Sequence, residues 1–181
     1  LEEVGWTDTD GDGVAERDGE PLRLRLLVTQ NPNVSAGGRF PIIAEALQAA
    51  LGRVGMKVEV QRLESGAFLR AEKEGDFDML LRTGYYVWGG YPRHFFLHHA
   101  ANPFSHFRNE EFDRLVDEAD AAPDEPTRRE LYHRLQGEML RLLPAFYMVH
   151  REKVVAARRN VAGYRISAEG PWLELRSVTL E

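Results

Sequence analysis

A switch between two hydrophobic periods, repeated across residues 22–81, restricts the fold more than any other feature. Leu22, Leu24, Leu26 and Val28 alternate with Arg23, Arg25, Leu27 and Thr29, the period of two that marks a strand. Asn31-Pro32-Asn33 and Gly37-Gly38 supply loop chemistry. Phe40, Ile43, Ala44, Leu47, Leu51 and Val54 then recur at helical spacing until Gly55 stops them. Met56, Val58 and Val60 alternate again, Ser65 is placed to cap a short helix running to about Glu74, and Phe77 to Leu81 read as a third strand. Because that strand is mostly apolar, it is expected to be central and covered on both faces. Strand, helix, strand, helix, strand with short connections predicts an α/β fold: a βαβαβ sheet, largely parallel, with flanking helices.

In such sheets ligands meet the carboxyl ends of the strands. After the third strand comes Arg82-Thr83-Gly84-Tyr85-Tyr86-Val87-Trp88-Gly89-Gly90-Tyr91-Pro92. Residues 84–91 hold four aromatics and three glycines, so flat apolar faces and hydroxyl or indole donors lie beside backbone that a ligand can approach. A packed aromatic corner without a ligand is the competing reading, and position at a strand end favours the cleft. Two further helices are expected. Asn109 would cap one with Phe112, Leu115, Val116 and Ala119 inward, and Asp124 the other with Leu131, Leu135, Met139 and Leu142 inward and Pro144 past its end. Ala145 to Val149 and Val154 to Ala157 read as strands joined by a polar turn, and a last alternation ends at Leu180.

Asp8-Thr9-Asp10-Gly11-Asp12-Gly13 matches the first half of a calcium loop, with Asp8, Asp10 and Asp12 as candidate ligands. The twelfth position, which should be Glu, is Gly19, and Pro21 and a strand follow where a helix would be needed. A solvated acidic turn and a structural calcium site both remain open here. Four of the six histidines, His94, His98, His99 and His106, fall within thirteen positions. On a helix starting near Pro92, His94 and His98 would share a face as a metal pair, which raises a metal-dependent hydrolase as an alternative function. The chain has no Gly-x-Ser-x-Gly elbow, no His-Glu-x-x-His pair and no P-loop, so the expectation is that it is not an enzyme. Arg128-Arg129-Glu130 and Arg158-Arg159 read as solvated charge and are assigned no function.

A formal charge of −6 argues against nucleic acid as the main partner, and the absence of cysteine removes disulfides and thiolate chemistry. Leu1-Glu2-Glu3-Val4-Gly5 reads as a last helical turn closed by glycine, so the sequence is expected to begin inside a longer protein.

Several segments together resemble one family, the peptide- and nickel-type extracellular solute-binding proteins of ABC importers. They are Leu1 to Trp6 with the acidic turn and Asp18-Gly19, Ala44-Glu45-Ala46-Leu47-Gln48 leading to Val54-Gly55-Met56-Lys57-Val58-Glu59-Val60, Gly75-Asp76-Phe77-Asp78-Met79, residues 109–119, and Arg129-Glu130-Leu131-Tyr132. The resemblance implies a monomeric two-lobed protein outside the cytoplasmic membrane, periplasmic or anchored at the cell surface, that closes on a small solute and delivers it to a membrane permease. Residues 1–150 would form most of the second lobe and residues 151–181 a return toward a first lobe that lies elsewhere in the protein. Ligand contacts are then expected from Arg82, Tyr85, Tyr86, Trp88, Gly89 and Tyr91. Peptide-binding members place an acid two or three residues after that Trp, whereas Gly90, Tyr91, Pro92 and Arg93 follow here. Arg82-Thr83, Trp88-Gly89, Tyr91-Pro92 and His94-Phe95-Phe96-Leu97 resemble the nickel-type members more. By the same resemblance His106 would ligate nickel held by a small chelator. No cofactor is expected beyond a structural calcium ion or a nickel chelate as ligand.

Overall fold

The computed structural model describes residues 1–31, 39–82, 93–146, 148, 156–163, 165–166, 173–174 and 178–180. It divides into two compact units, Leu1–Gly84 and Tyr85–Glu181. Among the described residues no helix is long and apolar enough to cross a membrane.

The first unit opens on a single 3-10 turn, Glu2–Val4, ended by Gly5 at φ 83°. A hairpin follows, β1 (Glu16–Arg17) and β2 (Glu20–Pro21), turned by Asp18 and Gly19 at φ 57° and 82°. Two consecutive positive φ values define the turn that matches strand twist, and Asp-Gly is a preferred sequence for it. The main sheet comprises β3 (Arg23–Thr29), β4 (Lys57–Leu63) and β5 (Met79–Leu80), all parallel, in the order β4-β3-β5. The connecting helices are α1 (Phe40–Gly52) and α2 (Ser65–Glu74). The chain steps one way from β3 to β4 and back across β3 to reach β5. Two right-handed crossovers therefore put α1 and α2 on opposite faces. Leu26 and Val28 pack with Phe40, Ala44 and Val58 on the α1 side, and Leu27, 1% exposed, points to the other face.

The expected order of strands is corrected here. β3, not the third strand, is central, with Leu26 to Thr29 all buried, whereas β5 is short and only half-buried. An apolar run reports burial but not rank in a sheet, and the crossover from β4 over β3 is what assigns the centre. The Gly75-Asp76-Phe77-Asp78 run has a structural meaning. Gly75 closes α2 at φ 74°, and Asp76 pairs with Arg25 at 2.6 Å, an exposed bridge that raises the Arg25 pKa. Asp78 Oδ2 accepts the Arg25 backbone N–H at 2.7 Å, so a side chain extends the β3–β5 ladder ahead of its first paired residues, Leu26 and Met79. Gly55, φ 86°, lies against Ala15, where a side chain would stand 3.2 Å from the Ala15 Cβ. Its carbonyl accepts the Ala15 N–H at 2.8 Å, tying the hairpin to the α1–β4 turn.

In the second unit, α3 (Arg93–Phe96) is followed by a folded loop, then α4 (Glu110–Asp120) and α5 (Glu125–Leu142). Asn109 accepts the Phe112 N–H and Asp124 the Thr127 N–H, the two caps expected from the sequence. Phe95, Phe112, Leu115, Val116, Leu131, Leu135 and Met139 form the core, with Leu142 packed against it. Leu143 ends α5 in the left-handed region at φ 46°, ahead of Pro144, which disfavours a helical residue before it. The strands expected at 145–149 and 154–157 are not present in the described part; residues 147 and 149–155 lie outside it. The final alternation pairs Thr179–Leu180 with Val161–Ala162, antiparallel, and a second short ladder joins Arg165–Ile166 to Leu173–Glu174.

Candidate functional site

The carboxyl edge of the parallel sheet gathers a polar set at the ends of its three strands. At the end of β3, Thr29 is buried and its Oγ1 accepts the Asn31 N–H at 3.2 Å. Asn31 Nδ2 donates to Ser65 Oγ, 2.9 Å away, at the start of α2 beyond β4. Ser65 therefore does not cap α2 as expected: Glu64 holds the cap position without a side-chain bond, and the hydroxyl serves Asn31. Leu81, one residue past β5, still donates its N–H to Leu27 O; Arg82 then leaves the sheet and its Nη1 donates to Glu72 Oε1 on α2. The Glu72 side chain is 2% exposed and that of Arg82 28%. A carboxylate this dry must be paired, because an unpaired buried charge is expensive. Asn31, Ser65 and Glu72 were missed at the level of sequence. Only the rule that ligands meet strand carboxyl ends could have singled out the first two, and a charge in the α2 pattern gives no sign of being buried.

The other predicted ligand contacts, Tyr85, Tyr86, Trp88, Gly89 and Tyr91, lie outside the described residues. His106 is exposed on the loop between α3 and α4, in the second unit. The helical pair of His94 and His98 does not form: α3 stops at Phe96, and the His98 N–H donates to Phe95 O in a tight turn. The loop is held by Asn102, whose Nδ2 donates to Leu97 O and whose Oδ1 accepts the Phe104 N–H, 3.0 and 3.1 Å away. His99 is buried against Phe96 and accepts the Ala101 N–H on Nδ1, which leaves the proton on Nε2, 3.3 Å from Asp117 Oδ1. The hydrolase alternative drew on a helical His94–His98 pair, which α3, ending at Phe96, does not provide.

The acidic turn does gather. Asp8, Asp10, Asp12 and Glu16 bring one carboxylate oxygen each within 4.8 Å of one another. Asp8 accepts the N–H groups of Gly11 and Gly13, Asp10 that of Asp12, Asp12 that of Val14, and Glu16 both the N–H and the hydroxyl of Thr9. Glu16 enters from β1 at the ninth position of the loop pattern, while the twelfth, Gly19, supplies no carboxylate. Oxygen-only donors in this number suit a hard cation such as calcium.

Comparisons place this fold among known proteins. Residues 1–103 match the family described as bacterial extracellular solute-binding proteins, family 5 Middle. The oligopeptide-binding protein AppA of Bacillus subtilis is 22% identical over 170 residues, covering 91% of this chain and 30% of AppA. Its structure in complex with a nonapeptide superposes with a TM-score of 0.67 at 24% identity, over 80% of this chain and 29% of that one. The nickel-binding periplasmic protein of Escherichia coli is 27% identical, covering 98% of this chain and 35% of the relative. A mannohexaose-bound oligopeptide-binding protein of Thermotoga maritima gives a TM-score of 0.67 at 20% identity, over 80% of this chain and 28% of its own. This chain thus spans about a third of the length of the curated relatives. Its fold is that of a portion of a two-lobed periplasmic binding protein, and the chain belongs to the bacterial extracellular solute-binding proteins of family 5.

Proposed function

We propose that this chain is most of the second lobe of the substrate-binding component of an ABC importer. The whole protein, outside the cytoplasmic membrane or anchored to its outer surface, would capture a peptide or a metal chelate in a cleft between two lobes. A membrane permease would receive the solute. The observation that carries this reading is the family match across residues 1–103, which contains the polar carboxyl edge built by Thr29, Asn31, Ser65 and Arg82. Relatives named for peptides and for nickel support both ligand classes. Tyr85, Tyr86, Trp88 and Tyr91 would supply stacking surface, Gly89 close backbone approach, and His106 a nitrogen ligand for a nickel chelate. A ligand that binds only the folded state raises stability by mass action. Native mass spectrometry of the full-length protein from its own host identifies the ligand. Trp88→Ala is expected to weaken the melting shift that this ligand gives, with a loss of about 1–3 kcal/mol for a stacking aromatic anchor. Unchanged affinity in that variant rules out the stacking role.

We also infer that the Asp8–Asp10–Asp12–Glu16 cluster holds a structural calcium ion, on the strength of the fourth carboxylate brought in by Glu16. Calcium is expected to raise the melting midpoint and EDTA to lower it, and the Asp10→Asn/Asp12→Asn variant should answer to neither. A wild-type midpoint unmoved by both reagents removes the site.

A further inference from the structure

We propose that the Ser65 hydroxyl donates to a carbonyl or carboxylate oxygen of the ligand, in a direction set by Asn31, given the ligand-binding role proposed above for this edge of the sheet. β3 and β4 are neighbours, yet β3 leads to α1 on one face and β4 to α2 on the other. Chains that leave adjacent strands toward opposite faces open a crevice between the strand ends, the usual seat of a ligand in a parallel sheet. Asn31 and Ser65 stand on either side of it, each two residues past its strand. Between them the Gln30 N–H donates to Leu63 O at 3.0 Å and keeps the two ends in register. The Asn31 backbone N–H is held in turn by the buried Thr29 hydroxyl. A serine hydroxyl has one proton and two acceptor lone pairs. Asn31 Nδ2 donates to Ser65 Oγ at 2.9 Å and so occupies one lone pair. The hydroxyl proton then points away from Asn31, and it meets no acceptor among the described residues. Ser65 is only partly buried, and a Cβ on the neighbouring Gly66 would meet nothing within 4 Å, so a ligand can approach. A ligand that displaces water here must give the proton an oxygen or leave a desolvated donor unsatisfied. Peptides offer that oxygen as a carbonyl or a terminal carboxylate, and metal chelates as a chelator carboxylate.

The test titrates full-length protein by calorimetry with three probes: Ala-Ala-Ala, its C-terminal amide, and nickel–EDTA. Wild type is compared with Ser65→Ala, Ser65→Thr, Asn31→Ala and the Ser65→Ala/Asn31→Ala double variant, each verified as folded by its melting midpoint. Ser65→Ala is expected to weaken a probe that binds wild type by about tenfold, the effect of one lost hydrogen bond to a ligand oxygen. Ser65→Thr should recover most of that loss. A loss seen with Ala-Ala-Ala and not with its amide assigns the contact to the terminal carboxylate. A loss shared by both assigns it to a peptide carbonyl, and a loss with nickel–EDTA to a chelator carboxylate. Ser65→Ala should also weaken binding further in the Asn31→Ala background, where the hydroxyl has no amide to hold. No further loss there would mean that Ser65 serves only to support Asn31, which overturns the proposal. Wild-type affinity in Ser65→Ala overturns it too, while leaving the peptide-or-chelate reading intact. A wild-type protein that binds none of the three probes overturns that reading and this contact with it.

Discussion

Arg82→Ala is expected to lower the stability of the first unit by about 3–5 kcal/mol, and Glu72→Ala by clearly less. The two deletions remove the same hydrogen bond but strand different partners. Without Arg82, a carboxylate of 2% exposure must stay buried without its guanidinium, take up a proton, or drag α2 open to water. Without Glu72, a guanidinium that is already 28% exposed needs only a small rotation to be hydrated. Arg82 also continues the chain out of β5, whose paired residues Met79 and Leu80 lie on Leu26 and Leu27 of the central strand. Hydrogen exchange of the β3 amides, read against urea, measures the loss in that unit alone. Glu72→Leu combined with Arg82→Met should regain most of it, because a well-packed apolar pair replaces two desolvated charges at little cost. Equal penalties for the two single variants would mean that burial of Glu72 does not govern the pair.

The same pair marks where the sequence could be read and where it could not. β3, α1 and α2 fall within a residue or two of the periodic runs that predict them, and β4 runs three residues past its run at Val60, because apolar spacing records which face meets the core. The caps Asn109 and Asp124 were legible for a related reason: donor and acceptor are three residues apart, so local sequence contains the whole interaction. Asn31 and Ser65 are 34 residues apart, and Glu72 and Arg82, though only 10 apart, are brought together by the turn from α2 into β5, so neither pairing follows from a local periodic pattern. That is why Ser65 reads as a cap and Arg82 as an open cation until the chain is folded. The acidic turn lies between these cases. Its three aspartates are local and visible, but Glu16 joins them because β1 turns back through the Thr7–Glu16 bridge. The histidine pair failed for a third reason. Helical spacing of His94 and His98 counts only if the helix persists, and side-chain bonds of Asn102 and Asp113 to the loop backbone hold the following residues in turns instead.

Phe112→Ala is expected to cost about 3–5 kcal/mol in the second unit, the range for deleting a fully buried ring that neighbours cannot replace. Phe112 is 0% exposed and stands at the centre of the α4–α5 core. Its ring meets Phe107 edge-on at 5.5 Å and 88°, and Phe95 at 6.5 Å and 66°, so three elements rely on one side chain. Edge-to-face contacts add to area burial and have fixed geometry, which limits how far Phe95 and Phe107 can move in to fill the space. The first turn of α4 makes collapse harder still, because the Phe112 N–H is pinned by the Asn109 cap at 2.9 Å. Phe112→Leu keeps most of the volume and should lose less than half as much. Leu140→Ala, at a position 76% exposed, should change stability by no more than about 0.5 kcal/mol. Exchange of the α4 and α5 amides in urea reads all three variants. A Phe112→Ala loss near that of Leu140→Ala would show that the aromatic cluster does not organise this unit. A large loss confined to α4 and α5 amides would show that it stabilises the second unit without support from the β3–β4–β5 sheet.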